Sequence, residues 1–147
     1  MFFRTATRDD IFMLDTIRKA VKENVLSDPD RITPTDYREM LELNGKGWLC
    51  EVNNETTGFA IVDIKNKNVW ALFVHPDFEG KGIGKQLFRL MIDWAFEQGI
   101  NKLWLGTAPN TRAERFYSSM GWQKMGVEKN GEMRFECTKE IWQQSTV

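Results

Sequence analysis

The stretch Phe73-Val-His-Pro-Asp-Phe-Glu-Gly-Lys-Gly-Ile-Gly-Lys-Gln-Leu-Phe-Arg-Leu90 decides how this chain reads. An apolar run, 69–74, leads into it and ends at His75-Pro76, where proline lacks an N–H and cannot continue a central strand. Gly80, Gly82 and Gly84 follow at every second position, and Leu87, Leu90, Met91, Trp94 and Ala95 then recur at helical spacing. The pattern predicts strand, turn, glycine-rich loop and helix. Glycines let bare backbone N–H groups approach an anion at a helix N-terminus, where the dipole favours negative charge. The first implication is a phosphate cradle; the bland alternative is a turn before an ordinary helix.

Three nucleotide templates can be laid on this loop. A Walker loop needs Gly, four residues, then Gly-Lys-Ser/Thr; here Gln86 follows Gly84-Lys85, and Glu79 stands at the first glycine position. A dinucleotide fingerprint, Gly-x-Gly-x-x-Gly, would place its third glycine at Lys85. The acyl-coenzyme A loop, Gln/Arg-x-x-Gly-x-Gly/Ala, fits at Gly82-Ile83-Gly84, with Glu79 where Gln or Arg is usual. Taken together, Leu72-x-Val74-x-Pro76-x-x-Glu79-x-x-Gly82-x-Gly84 resembles the central motif of the GCN5-related N-acetyltransferase (GNAT) family.

A second segment strengthens the resemblance. Asn110-Thr-Arg-Ala-Glu-Arg-Phe116-Tyr117-Ser-Ser-Met-Gly121-Trp122 is similar to the family's Asn-x-x-Ala-x-x-Phe/Leu-Tyr-x-x-x-Gly-Phe/Trp. Ala113, Phe116 and Tyr117 stand at i, i+3 and i+4, so they share one helix face. Gly121 supplies the positive φ that ends a helix.

Outward from these motifs, Phe2 to Ala6 reads as an edge strand, with Thr7 as N-cap of a helix running through Val21. Ser27-Asp-Pro-Asp breaks it, and a second helix starts near Thr35 and stops at Asn44-Gly45. Trp48–Val52, Gly58–Ile64 and Val69–Val74 read as an antiparallel meander, with Asn53 to Thr57 as the first turn. The glycine loop and its helix lead to a strand at Lys102–Gly106, parallel to the strand before the loop. A helix from Thr111 to Met120 precedes a final hairpin, Gln123–Val127 with Glu132–Ile141, around a type I′ turn at Asn130-Gly131; the tail after Gln143 is expected to fray. The expected fold class is α/β (α+β), GNAT-like: a central mixed, mostly antiparallel twisted sheet with helices on both faces and strands splayed at the cofactor site. Residues 1–147 read as a single domain.

Composition narrows the function classes. A formal net charge of −1 argues against a nucleic-acid footprint, which is normally strongly basic. Cys50 and Cys137 are flanked by apolar residues and make neither a disulfide framework nor a metal site. One histidine, His75, with no Cys or His cluster beside it argues against zinc. No apolar run suits a membrane span or the core of a signal peptide, so the expectation is a cytoplasmic enzyme with no nucleic-acid or membrane partner.

The resemblance implies direct transfer of acetyl from acetyl-coenzyme A to a primary amine. It implies that Leu72, Phe73, Val74, Glu79, Gly80, Lys81, Gly82, Ile83, Gly84, Lys85, Asn110 and Tyr117 bind the cofactor. Within that set Val74 offers a backbone N–H to the thioester oxygen, and Tyr117 is the general acid for the departing thiolate. The base stays open between Glu51, Asp63 and a water relay; His75 reads as a cap. The acceptor, a small-molecule or peptide amine, is expected against the first two helices. There Glu23, Asp28, Asp30, Asp36, Glu39 and Glu42 face Lys22, Arg31 and Arg38, either as an acidic rim or as an ordinary solvated surface. A homodimer through the C-terminal strands is compatible with the pattern. A non-catalytic acyl-coenzyme A sensor or interaction module is the rival reading.

Overall fold

The computed structural model describes residues 1–21 and 32–145. Its elements are β1 (Phe2–Thr5), α1 (Ile11–Ala20), α2 (Pro34–Glu39), β2 (Gly45–Val52), β3 (Glu55–Asp63), β4 (Asn68–Val74), α3 (Ile83–Glu97), β5 (Lys102–Thr107), α4 (Arg112–Ser119), β6 (Gln123–Val127), β7 (Met133–Thr138) and α5 (Lys139–Ser145). Among the described residues they form one seven-stranded sheet of order β1-β2-β3-β4-β5-β7-β6. Every neighbouring pair is antiparallel except β4 and β5, which run parallel across the α3 crossover. The mixed sheet flanked by helices is the class expected from the sequence.

Each face of the sheet has its own core. On one face, Leu14 and Ile17 of α1 and Tyr37 of α2 pack on Leu49, Phe59, Ile61 and Ala71. On the other, Leu87, Phe88, Met91, Ile92 and Ala95 of α3 pack with Tyr117 of α4 on Cys50, Ala60, Val62, Leu103, Leu105 and Phe135. Phe59, Ala60, Ile61 and Val62 are all fully buried, because β3 is covered from both sides and its residues alternate between the two cores. Cys50 and Cys137 are buried free thiols, and burial pushes the Cys137 thiol up to about 11.

Several local expectations shift. The first hairpin turns on Asn53 and Asn54 alone, both at positive φ (52° and 66°), so β3 starts at Glu55 and not at Gly58. Asparagine tolerates the left-handed region that a two-residue hairpin turn demands. The last hairpin is not a type I′ turn. Gly131 N donates to Glu128 O (2.9 Å) and Glu128 N to Glu132 O (2.7 Å), and only Gly131 has positive φ, which is a three-residue loop with a glycine bulge. β7 ends at Thr138, whose hydroxyl accepts from Ile141 N (3.2 Å) and starts α5, where the sequence reading had a strand to Ile141 and a frayed tail. The buried Trp142 on α5 donates from Nε1 to Asp93 Oδ1 (2.7 Å) and pins the helix to α3. The inward stripe of α3 also includes Ile83, Phe88, Ile92 and Phe96, while Leu90 is exposed. Among the described residues no helix is long and apolar enough to cross a membrane, and no group of His, Cys, Asp and Glu could hold a metal ion.

Candidate functional site

The site arises because β4 and β5 barely touch. Their pairing is limited to Asn68 against Trp104, with Trp104 N donating to Lys67 O (3.0 Å). The strands therefore part beyond Asn68 and Trp104, which opens the splay expected at the cofactor site. A bulge between Ile61 and Val62 in the β3–β4 ladder bends β4 away. His75 N donates to Thr57 O (2.8 Å), so Gly58 and Val74 form a non-hydrogen-bonded pair. By the alternation of an antiparallel ladder, the main-chain groups of Leu72 and Val74 face the gap.

Two cavities meet there. The first, about 300 Å³, is lined by Leu72, Phe73, Val74, the glycine loop and the inward side of α4. The second, about 240 Å³, lies between β4 and β5 and is lined by Arg18, Trp70, Gly106, Thr107, Glu132 and others. Leu72, Phe73 and Tyr117 line both.

The loop beside the first cavity has the geometry of an anion cradle. Gly80 (φ 77°) and Gly82 (φ 82°) are left-handed, and a Cβ at either would meet nothing within 4 Å. The turn therefore depends on glycine, and its backbone is open to approach. The first hydrogen bond of α3 runs from Gln86 N to Gly82 O (3.2 Å), which leaves the N–H groups ahead of it without helical partners.

Tyr117 is 7% exposed and held in an aromatic cluster: its ring centroid lies 5.5 Å from Phe88, 5.4 Å from Phe116 and 5.9 Å from Phe135. Burial alone raises its pKa well above the ordinary tyrosine value, so the phenol stays protonated. Opposite, buried Arg18 donates to Tyr37 Oη (2.7 Å) and to Asp15 Oδ1 (2.6 Å), and Tyr37 donates to the same carboxylate oxygen (3.0 Å).

Of the residues expected to bind a cofactor, all but Lys81 and Asn110 line the first cavity. The Lys81 ammonium lies over the Phe78 ring (5.8 Å), and Asn110 is an exposed left-handed residue whose N–H donates to Glu114 Oε2 (3.1 Å), a turn that launches α4. Lys81 and Asn110 thus stand outside the lining of this cavity. Neither expected base lines either of these two cavities. Glu51 accepts from Arg4 Nε (2.7 Å) beside β1. Asp63 is 2% exposed at the far end of β3 and accepts from Asn66 N (3.1 Å) and Nδ2 (2.8 Å), holding the β3–β4 turn. His75 is a cap, its Nδ1 accepting from Asp77 N (3.1 Å). The sequence reading missed Arg112, which donates to the Glu79 carboxylate across the first cavity, and Glu132 in the second. Of the expected acidic rim, Glu23, Asp28 and Asp30, with Lys22 and Arg31, fall outside the described residues. Glu42 is spent on Arg8 (2.8 Å).

A family model described as the acetyltransferase (GNAT) family matches residues 12–122. An uncharacterised N-acetyltransferase of Methanocaldococcus jannaschii is 36% identical over 93 residues, 56% of this chain and 41% of the relative. A [ribosomal protein bS18]-alanine N-acetyltransferase of Haemophilus influenzae is 29% identical over 80 residues, 53% of this chain and 55% of the relative. The chain spans about half the length of the curated relatives it matches. The PaiA N-acetyltransferase of Thermoplasma acidophilum, solved with coenzyme A, shares the fold at a TM-score of 0.78 with 15% identity, covering 93% of this chain and 98% of that one.

Proposed function

Because the chain belongs to the GNAT acetyltransferase family, we propose that it moves an acetyl group from acetyl-coenzyme A to the primary amine of a small molecule or peptide. The observation that carries this reading is Tyr117, a buried and protonated phenol lining both cavities where β4 and β5 part. A donor and an acceptor entering from opposite sides would meet beside it. The relatives that act on the alanine of a ribosomal protein support a peptide or similar amine as acceptor.

The residues fit the cofactor. The backbone N–H groups from Gly80 to Lys85 would take its pyrophosphate at the open start of α3. The segment Leu72 to Val74 would pair with the pantetheine arm as with an added strand, through the main-chain groups of Leu72 and Val74 that face the gap. The Val74 N–H would polarise the thioester carbonyl. When bound, acetyl-coenzyme A supplies an acetyl group activated as a thioester. Tyr117 would give its proton to sulfur as the carbon–sulfur bond breaks.

Screening purified protein with acetyl-coenzyme A against a panel of small and peptide amines, read by thiol release, tests the proposal. Amine-dependent turnover supports it. Cofactor binding by calorimetry with no turnover on any amine would overturn it in favour of a sensor module.

Glu79 gives a second measurable outcome. Its carboxylate accepts from Arg112, so its charge is partly cancelled where the phosphates would lie. Glu79→Gln removes a negative charge and releases this hold on Arg112. Acetyl-coenzyme A affinity is expected to rise about fivefold, roughly 1 kcal/mol for a half-exposed pair. The gain should shrink in high salt. Equal or weaker binding by calorimetry would remove Glu79 from this account.

A further inference from the structure

We infer that Glu132, on the loop between β6 and β7, is the group that receives the acceptor's ammonium and takes its proton. The inference rests on the transferase reading and names the base that reading lacks. Among the described residues Glu132 is the one carboxylate lining the second cavity, the cavity that Tyr117 shares with the first. It arrives there because Gly106 leaves room. A Cβ built at Gly106 would lie 2.9 Å from Glu132 Oε1 and 3.3 Å from its Cδ, so the carboxylate occupies the space that a side chain at 106 would need. Gly106 pairs with Arg134 in the β5–β7 ladder, two residues from Glu132, so all three positions project from the same face of the sheet. That is the α1 side, across the sheet from α3.

The carboxylate is also held. Asn130 Nδ2 donates to Glu132 Oε1 (3.1 Å), and Glu132 N donates to Asn130 Oδ1 (2.9 Å). Among the described residues its carboxylate forms no ion pair, whereas nearby Arg134 is engaged by Glu128 (3.4 Å) and Glu136 (2.8 Å). Arg18, the charged group facing from α1, is bonded to Asp15 and Tyr37. Glu132 is solvent-exposed, so a proton it accepts can pass to water. An alkyl ammonium has a pKa near 10 and must lose a proton before it can attack.

Glu132 pairs with the ammonium and passes one proton to solvent. The neutral nitrogen forms the carbon–nitrogen bond, and the carbon–sulfur electron pair leaves on sulfur. Sulfur takes the Tyr117 proton, and the second proton lost from nitrogen restores the phenol. The sum is ammonium plus thioester giving amide, thiol and one proton.

The test compares wild type with Glu132→Gln, Glu132→Ala, and Glu132→Ala combined with Gly106→Asp, using an amine that the wild type acetylates. Glu132→Gln and Glu132→Ala are expected to lower kcat/KM for the amine about 10²-fold, with acetyl-coenzyme A affinity and melting unchanged. Gly106→Asp places a carboxylate one carbon beyond the Cβ, in the vacated space, and should restore at least about tenfold of that loss. Unchanged kcat/KM in Glu132→Gln overturns the inference while leaving the transferase reading intact. So does a loss in Glu132→Ala that Gly106→Asp does not recover in a protein that still binds acetyl-coenzyme A. A wild type that binds the cofactor but acetylates nothing overturns both together.

Discussion

Tyr117→Phe is expected to lower acetyl transfer about 10²-fold, in kcat more than in the KM for acetyl-coenzyme A. The substitution deletes one oxygen and keeps the ring that packs on Phe88, Phe116 and Phe135. Melting and cofactor affinity should therefore stay near wild type, which separates lost chemistry from lost structure. The sign of the pH dependence follows from burial. Desolvation disfavours the phenolate and raises the Tyr117 pKa above its ordinary value of 10.0. An acid whose pKa is raised stays competent through the neutral and mildly alkaline range. The wild-type rate should then show no loss from this group as pH approaches 10 from below. Stopped-time thiol release across pH 6 to about 10 checks both points. A Tyr117→Phe enzyme with wild-type kcat would remove the phenol from the reaction.

Phe88→Ala is expected to cost about 3–5 kcal/mol of folding stability, measured as a shift in urea midpoint at constant slope. Phe88 is fully buried, and its ring centroid lies 5.6 Å from Phe116, 5.5 Å from Tyr117, 5.4 Å from Trp122 and 5.8 Å from Trp142. The cavity left behind would sit where α3, α4 and α5 converge. Its lining cannot collapse without moving Tyr117, so activity per folded molecule should fall as well. Phe88→Leu, which keeps most of the volume, should recover most of both. A change below about 1 kcal/mol in Phe88→Ala would show that this cluster does not carry the core.

The two predictions mark where the sequence was legible. The glycine loop, the start of α3 and the helix carrying Tyr117 could all be read from spacing, because each depends on neighbours within a turn or two. The expected apolar stripe of α3 omitted Phe88, because the width of a buried stripe depends on the sheet beneath it and not on the helix period. The end of β7 was missed for a related reason. Thr138 can continue a strand or cap a helix, and the docking of Trp142 against Asp93 favours the helix. The placement of carboxylates was not legible at all. Glu51 and Asp63 are strand residues that looked suitable by order along the chain, yet one is paired with Arg4 and the other holds a turn. Glu79 meets Arg112 33 residues away.

The sequence by itself determined the seven strands, the first four helices, their order and the glycine loop, but not α5. Those features rest on local sterics: glycine at positive φ, proline without an N–H, and apolar residues repeating at the period of a helix or strand. Only the tertiary structure decided where the cavities lie and which side chains share them. The gap between β4 and β5 follows from a bulge in a neighbouring ladder, and the meeting of Glu132 with the space above Gly106 follows from the register of β5 on β7. A one-residue slip in that register would turn the same residues to the opposite face. Contacts of that kind are properties of the assembled sheet, and no local window of the chain contains them.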